Sequence, residues 1–438
     1  MKRNSVRLFL AAGSVMSAGV ALGAPTLTIL GDLPGGQFWS DAYGVSADGR
    51  VVVGTSIVIG HILLNDATFA AFRWDAHSGI QQIHAVPGFR SACIAYGANH
   101  DGSVVVGSAD RRESPANVRA FLWTPQGGAT EFGDLDGGAV NGVARAVSPD
   151  GAVIVGAGQS DLGPEAFRFT RSDSTFAGLG DLPGNPFRSD AYAISADGST
   201  IVGMSFVGDR AARHAFRWTQ ADGMVSLGDL SPPEQTVPVS EAFGVNADGS
   251  VIVGVSRDPV NGEVAFRWTP EGGMVSIGDI PGGPAPMAIA LATNADGSVV
   301  VGRGSIDNCD TPFGCVNEYR AFIWDAQNGI RDLNTVLAAM GTDMQGMKLL
   351  ECRGISADGR VIVGNGIDAA NNRQAWRVEF EHPGCPADFN GDNQVDFFDY
   401  LDFVLAFDAE GPSADFNGDH QIDFFDYLDF ASAFSSCS

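Results

Sequence analysis

The chain has 438 residues, 45% of them hydrophobic, and a formal charge of −26 from 52 acids against 26 bases. That balance can bury a core, but it excludes the basic footprint of a nucleic-acid binder and any electrostatic draw to anionic membranes. Lysine occurs only at Lys2 and Lys348, which also excludes a phosphate loop with its lysine.

The chain opens with Lys2, Arg3 and Arg7, then an apolar stretch over residues 8–20, then Ala21-Leu22-Gly23. This is the pattern of a secretory signal peptide cut between Gly23 and Ala24, and it predicts export to the extracellular space or cell surface. The apolar stretch is shorter than the ~20 residues of a spanning helix. A membrane anchor is the alternative reading, and no other run suggests a transmembrane segment.

Self-similarity dominates residues 24–380. Asp-Gly turns recur at Asp48, Asp101, Asp150, Asp197, Asp248, Asp296 and Asp358, at spacings of 53, 49, 47, 51, 48 and 62 residues. Each leads into a β-branched run ending in Gly, such as Val51-Val52-Val53-Gly54. Asp-Gly between such runs is a strong hairpin signal. A third strand follows in each copy, as in Ala71-Phe72-Arg73-Trp74 and Ala265-Phe266-Arg267-Trp268. A fourth follows in most copies and ends in Gly-Asp-Leu or Gly-Asp-Ile, as at Gly180-Asp181-Leu182.

Four short antiparallel strands per ~50 residues predict a mainly β fold, a seven-bladed β-propeller. The seventh copy lacks a fourth strand, whereas Thr26-Leu27-Thr28-Ile29-Leu30-Gly31-Asp32-Leu33 is a fourth strand without a third. Placing that segment in the last blade closes the ring and removes an open sheet edge. An open β-solenoid or a ring of another count is the alternative. The recurring third-strand Arg and the Asp of Gly-Asp-Leu read as structural partners, and Trp39 reads as core or rim packing. Variable loops between second and third strands are where a binding site is expected.

Six cysteines in an exported chain favour disulfides over zinc. Cys309 with Cys315 and Cys385 with Cys437 bracket segments and are candidate pairs, which leaves Cys93 and Cys352 over. Catalytic motifs of the His-Glu-x-x-His or Gly-x-Ser-x-Gly type are absent from the sequence.

The segment 381–386 reads as a linker. Beyond it, 387–407 and 414–434 match at 17 of 21 positions. Each copy offers oxygen ligands at loop positions 1, 3, 5, 7, 9 and 12. These are Asp388, Asn390, Asp392, Gln394 (backbone carbonyl), Asp396 and Asp399 in the first copy. In the second they are Asp415, Asn417, Asp419, Gln421 (backbone carbonyl), Asp423 and Asp426. Calcium takes such a cage of oxygens, so two ions are expected. Phe397, Leu401, Val404 and Phe407 then recur at helical spacing.

Two resemblances follow from these motifs. His214-Ala215-Phe216 within the unit resembles the HAF-type repeat of bacterial extracellular proteins, over about residues 25–380. The twin loop–helix segment over 385–438 resembles a dockerin, which implies a small α-helical calcium module and a cohesin-like partner. Positions 10 and 11 are Phe397-Phe398 and Phe424-Phe425, where dockerins carry partner-reading residues. Position 6 is Asn393 and His420 rather than Gly, which lowers the expected calcium affinity.

The resulting expectation is a secreted, non-catalytic binding or display module anchored to an extracellular assembly, with a glycan as a candidate propeller ligand. A carbohydrate-active enzyme with the propeller as catalytic domain is the alternative.

Overall fold

A computed structural model describes residues 24–59, 68–83, 92–110, 118–138, 141–184, 186–208, 212–231, 237–258, 262–281, 287–308, 316–380, 387–389, 395, 397–409, 411–416 and 421–437. The chain divides into two compact units, one of them Ala24–Phe380 and the other containing Glu381–Ser438.

The larger unit is the expected seven-bladed propeller. In the first blade the strands are Ser40–Val45, Val51–Ile59, Thr68–Asp75 and Gly79–Gln82, from the inside outward. Five further blades repeat that antiparallel order, ending with Gly329–Asp332. The seventh contributes Lys348–Ile355, Val361–Ile367 and Arg373–Glu379. Its outer strand is Thr26–Gly31, paired with Arg373–Glu379 in the register Leu27 to Val378. The two ends of the unit thus share one sheet, as the missing fourth strand predicted.

The Asp-Gly turns show why this sequence folds locally. At Asp197 the carboxylate accepts the Ser199 N–H at 3.0 Å, and the Ser195 hydroxyl accepts the Thr200 N–H at 3.0 Å. Asn246 does for Val251 what Ser195 does for Thr200, so either Ser or Asn serves at this position. Hydrogen bonds from Ser195 and the Ser199 N–H hold the Asp197 carboxyl below its usual pKa. A depressed carboxyl contributes stability above its unfolded pKa of ~4, and that contribution is lost as pH falls through the lower folded value. Asp197→Ala is therefore expected to cost about 1 kcal/mol at pH 7. Urea denaturation at pH 7 and pH 2.5 should show the wild-type advantage shrinking at the lower pH.

The turns also join the blades. Ala357 N–H donates to the Ala47 carbonyl across the seam at 2.9 Å, and Ala295 N–H to Ala357 at 2.9 Å. Blade three carries Pro149 at this position, which accepts from the His100 N–H at 2.9 Å but has no N–H to pass on.

Every second-strand run ends in Gly for a different reason, close approach. A Cβ on Gly54, Gly203 or Gly254 would lie 2.0 Å from the carbonyl oxygen of Asp41, Asp190 or Glu241 on the inner strand. The third-strand Phe rings, such as the buried Phe72, Phe216 and Phe266, fill the space around these glycines.

The third-strand arginines are structural, as expected, but their partners differ from the expected Asp. Arg73, Arg217 and Arg377 pair with Asp75, Asp222 and Glu379 of their own blade, not with the Asp of Gly-Asp-Leu. Arg73 and Arg377 also reach the Gly102 and Gly49 carbonyls of the next Asp-Gly turn, at 3.4 Å and 3.3 Å. The Gly-Asp-Leu aspartate instead meets the residue preceding the third-strand Ala-Phe. His214 lies 3.2 Å from Asp229, and Arg320 lies 3.8 Å from the equivalent Asp332. Trp39 packs edge-on to Phe69 at 5.3 Å, in keeping with a rim role.

The second unit holds two helices, Phe397–Asp408 and Phe424–Cys437. Phe403 and Phe430 are fully buried and stack at 4.0 Å over Ala387 and Ala414, which forms the core of the unit. Among the described residues no helix is long and apolar enough to cross a membrane.

Cys93 and Cys352 are buried free thiols. Cys309, Cys315 and Cys385 lie outside the described residues, as does the side chain of Cys437, so the expected pairings fall there too.

Candidate axial binding site

The inner strand of every blade carries an irregularity at the same place, and the seventh has a second between Leu349 and Glu351. The shared shift in register against the second strand falls between Ala42 and Gly44, and again between Ala95 and Gly97, Ala144 and Ala146, and Ala191 and Ala193. The last three blades shift between Ala242 and Gly244, Ala290 and Ala292, and Cys352 and Gly354. A bulge inserts one extra residue and re-aims its side chain. Here the extra residues are Tyr43, Tyr96, Arg145, Tyr192, Phe243, Leu291 and Arg353. These same seven side chains line one cavity of 430 Å³ at the propeller axis. A further space of 250 Å³ shares six of them and runs on past Val45, Ala98 and Val147.

Small neighbours make the ring possible. A Cβ on Gly44 would lie 2.6 Å from the Tyr96 carbonyl oxygen, and one on Gly97 would lie 3.1 Å from that of Arg145. Each bulged backbone therefore closes tightly on the next blade, and only the extra side chain faces inward.

Around the ring the side chains clasp one another. Arg353 lies over Tyr43 at 4.9 Å, and Tyr43 meets Tyr96 edge to face at 5.4 Å. Arg145 lies over both Tyr96 and Tyr192, at 5.5 Å and 5.1 Å. Tyr192 then stacks on Phe243 at 5.2 Å. Cation–π contacts of this kind add roughly 0.5–2 kcal/mol each. Burial pushes the Tyr43 phenol up to about 12 and the Tyr192 phenol further, so both remain neutral hydroxyl donors at neutral pH.

Behind the ring sit carboxylates, two residues before the bulge in four blades: Asp41, Asp190, Glu241 and Glu351. Each inner strand runs toward its Asp-Gly turn, so these acids lie toward the opposite end, where the third strands begin. Arg373 and Arg213, the first residues of two third strands, reach Asp41 and Glu241 at 2.5 Å each. Arg145 binds Asp190 in two-pronged fashion, Nε to Oδ1 at 3.2 Å and Nη2 to Oδ2 at 2.9 Å. Glu351 lies 2.9 Å from Arg353 and 3.3 Å from Arg303. Burial weighs against charge on Arg145, but attraction to Asp190 outweighs it and holds the guanidinium protonated.

Sequence reasoning had placed the candidate site elsewhere, in the loops between second and third strands. Those loops fall largely at 60–67, 111–117 and 309–315, outside the described residues. The bulge residue was nonetheless marked in the sequence, since it always stands five positions before the Asp of Asp-Gly, between two small residues.

Of the twelve expected calcium ligands, Asp388, Asp399, Asp415, Gln421, Asp423 and Asp426 are described. Asn390, Asp392, Gln394, Asp396, Asn417 and Asp419 lie outside the described residues. Asp399 and Asp426 are fully buried. Asp399 accepts the Phe389 N–H at 2.8 Å, and Asp426 accepts those of Phe416 at 2.8 Å and Asp423 at 2.9 Å. Position 12 of each loop is thereby tied back to position 2. Among the described residues no three His, Cys, Asp or Glu side chains gather as a metal cluster. Phe424 and Phe425 are exposed.

No family model and no curated protein matches this chain. Solved structures do match. The oligogalacturonate lyase from Vibrio parahaemolyticus is 10% identical, covering 82% of this chain and 98% of that one, with a TM-score of 0.47. The propeller domain of the trilobed protease from Pyrococcus furiosus is 9% identical, covering 82% and 95%, also at 0.47. TolB from Acinetobacter baumannii is 12% identical, covering 77% and 82%, at 0.40. At these identities the likeness is one of fold, a β-propeller, and carries nothing about activity.

The comparisons do not uphold the resemblances drawn from the motifs: no family model matches the chain, and nothing found supports a HAF-type repeat, a dockerin or a cohesin-like partner. The motif carrying the first resemblance, His214-Ala215-Phe216, is a β-strand segment whose His serves the Asp229 pairing that Arg320 serves in blade six. The exposed Phe424 and Phe425 lose their assigned role with the dockerin reading.

Proposed function

We propose that this protein is an exported binding module that holds a small ligand at the propeller axis. The ring of bulged side chains supports the reading. Seven equivalent positions carry three tyrosines, two arginines, one Phe and one Leu, whereas the flanking positions stay small in every blade. A purely structural position would repeat one residue, as the second-strand Gly does. The ring differs from blade to blade, which is the asymmetry that a site for one ligand needs. A non-catalytic role is favoured because Asp41, Asp190, Glu241 and Glu351 are each ion-paired with arginine and none of them lines the axial cavity. Export rests on the charged, apolar and small-residue pattern of residues 1–23.

A glycan array probed with the full chain and with Tyr96→Ala tests this. Signals should fall at least tenfold in the variant while its melting temperature shifts by a few degrees at most. Signals unchanged in the variant would remove the axial site from the reading.

The C-terminal unit is proposed to bind two calcium ions through the oxygen donors of its twin loops. The donor chemistry fits: each loop offers carboxylate and amide oxygens at positions 1, 3, 5, 9 and 12, the hard oxygen set that calcium takes. Calcium chloride titrated into the full chain should give a heat of uptake for two ions. Asp399→Asn combined with Asp426→Asn should abolish it, and a silent titration of the wild type would end the proposal.

A further inference from the structure

The same axial ring says what kind of ligand it suits, an inference that rests on the binding reading above. Stacking on a neutral sugar needs a free aromatic face. Tyr192 has Arg145 over its ring at 5.1 Å and Phe243 stacked at 5.2 Å, while Arg353 lies over Tyr43 at 4.9 Å. Aromatic faces are thus largely spent within the ring. What remains toward the cavity are ring edges, guanidinium N–H groups and the hydroxyls of Tyr43 and Tyr96, since the Tyr192 hydroxyl donates to Glu241 at 3.4 Å. Neutral phenols can donate, and guanidinium groups can do nothing else. Asp190 occupies Nε and Nη2 of Arg145, which leaves Nη1 for a ligand.

Local charge points the same way. Around the axis, Arg145, Arg213, Arg303, Arg353 and Arg373 face Asp41, Asp190, Glu241 and Glu351. Five cations against four anions is a net positive patch in a chain with twice as many acids as bases. The surplus lies at Glu351, which two arginines share at 2.9 Å and 3.3 Å. Phe243 and Leu291 complete the ring with an apolar wall, suited to a carbon skeleton.

We infer that the axial cavity binds a carboxylate on a small organic scaffold, with the anion held by Arg353, Arg145 and the Tyr96 hydroxyl. A 430 Å³ cavity has room for about one monosaccharide or a short organic acid. A sugar acid and an open-chain diacid share this chemistry, so both are probes.

Calorimetric titration of the full chain with glucuronate, glucose and succinate tests the inference. Glucuronate should bind at least tenfold more tightly than glucose and weaken as salt is raised. Succinate matching glucuronate would assign the site to the carboxylate alone, and weaker succinate would assign the sugar ring as well. Arg353→Gln leaves Glu351 its second partner, Arg303, so the fold should hold while glucuronate affinity drops at least tenfold. Tyr96→Phe, which removes one hydroxyl, should cost a smaller factor. Glucose bound as tightly as glucuronate, and indifferent to Arg353→Gln, would overturn the carboxylate inference and leave the axial binding reading intact. Failure of all three probes to bind would overturn the inference outright.

Discussion

Gly254→Ala is expected to destabilise the propeller by about 3 kcal/mol or more, a loss at the upper end of what overpacking costs. The added methyl would stand 2.0 Å from the Glu241 carbonyl oxygen, 2.8 Å from the Phe266 ring and 2.9 Å from the Ala242 Cα. No rotamer change relieves a collision with backbone. The inner strand would have to move away, and it holds the Phe243 bulge. Gly228→Ala is the control: its φ is +75° and nothing lies within 4 Å of a new Cβ. Only left-handed strain acts there, roughly 1–2 kcal/mol. Urea denaturation of the two variants checks both the size and the order. Equal losses would mean that the inner strand yields to the new methyl at little cost, and that close approach does not keep the second-strand glycine.

That glycine also shows how much the sequence revealed. Asp-Gly hairpins, β-branched runs and aromatic third strands repeat with a period that names the blade. The unpaired fourth strand at residues 26–33 names the closure. Local chemistry writes these features directly into neighbouring residues. The bulge does not work that way. It is a mismatch between two strands, so Val51-Val52-Val53-Gly54 alone gives no hint that Tyr43 will be squeezed out toward the axis. The hint lies in the phase, five residues before the Asp, and in the small residues on either side. Partner choice was hidden for a similar reason. Arg73 and Asp75 share one face of a strand at period 2, whereas the Asp of Gly-Asp-Leu looked near only in the order of the chain. The likeness of His214-Ala215-Phe216 and of the twin acidic loops to known families rested on short strings, and no family model matches the chain.

Asp190→Ala should cost about 1.5–3 kcal/mol, because it removes the two-pronged partner of the half-buried Arg145 guanidinium. Burial raises the Asp190 carboxyl above its usual pKa, and the Arg145 guanidinium beside it works against that rise. Such a pair adds little net stability over apolar residues of similar size, while half of it is destabilising. The double variant Arg145→Met with Asp190→Leu should therefore recover most of the loss in a melting experiment. If the pair exists only to join blades three and four, the double variant should also keep whatever ligand the axis binds. The ring geometry argues otherwise. Asp190 fixes two guanidinium nitrogens of Arg145, the guanidinium lies over Tyr96 and Tyr192, and Arg145 lines the cavity. Restored stability with glucuronate affinity at least tenfold below wild type is the expected pattern. Restored stability with full affinity would make the Arg145–Asp190 pair a blade fastener and leave Arg353 as the sole anchor of the anion.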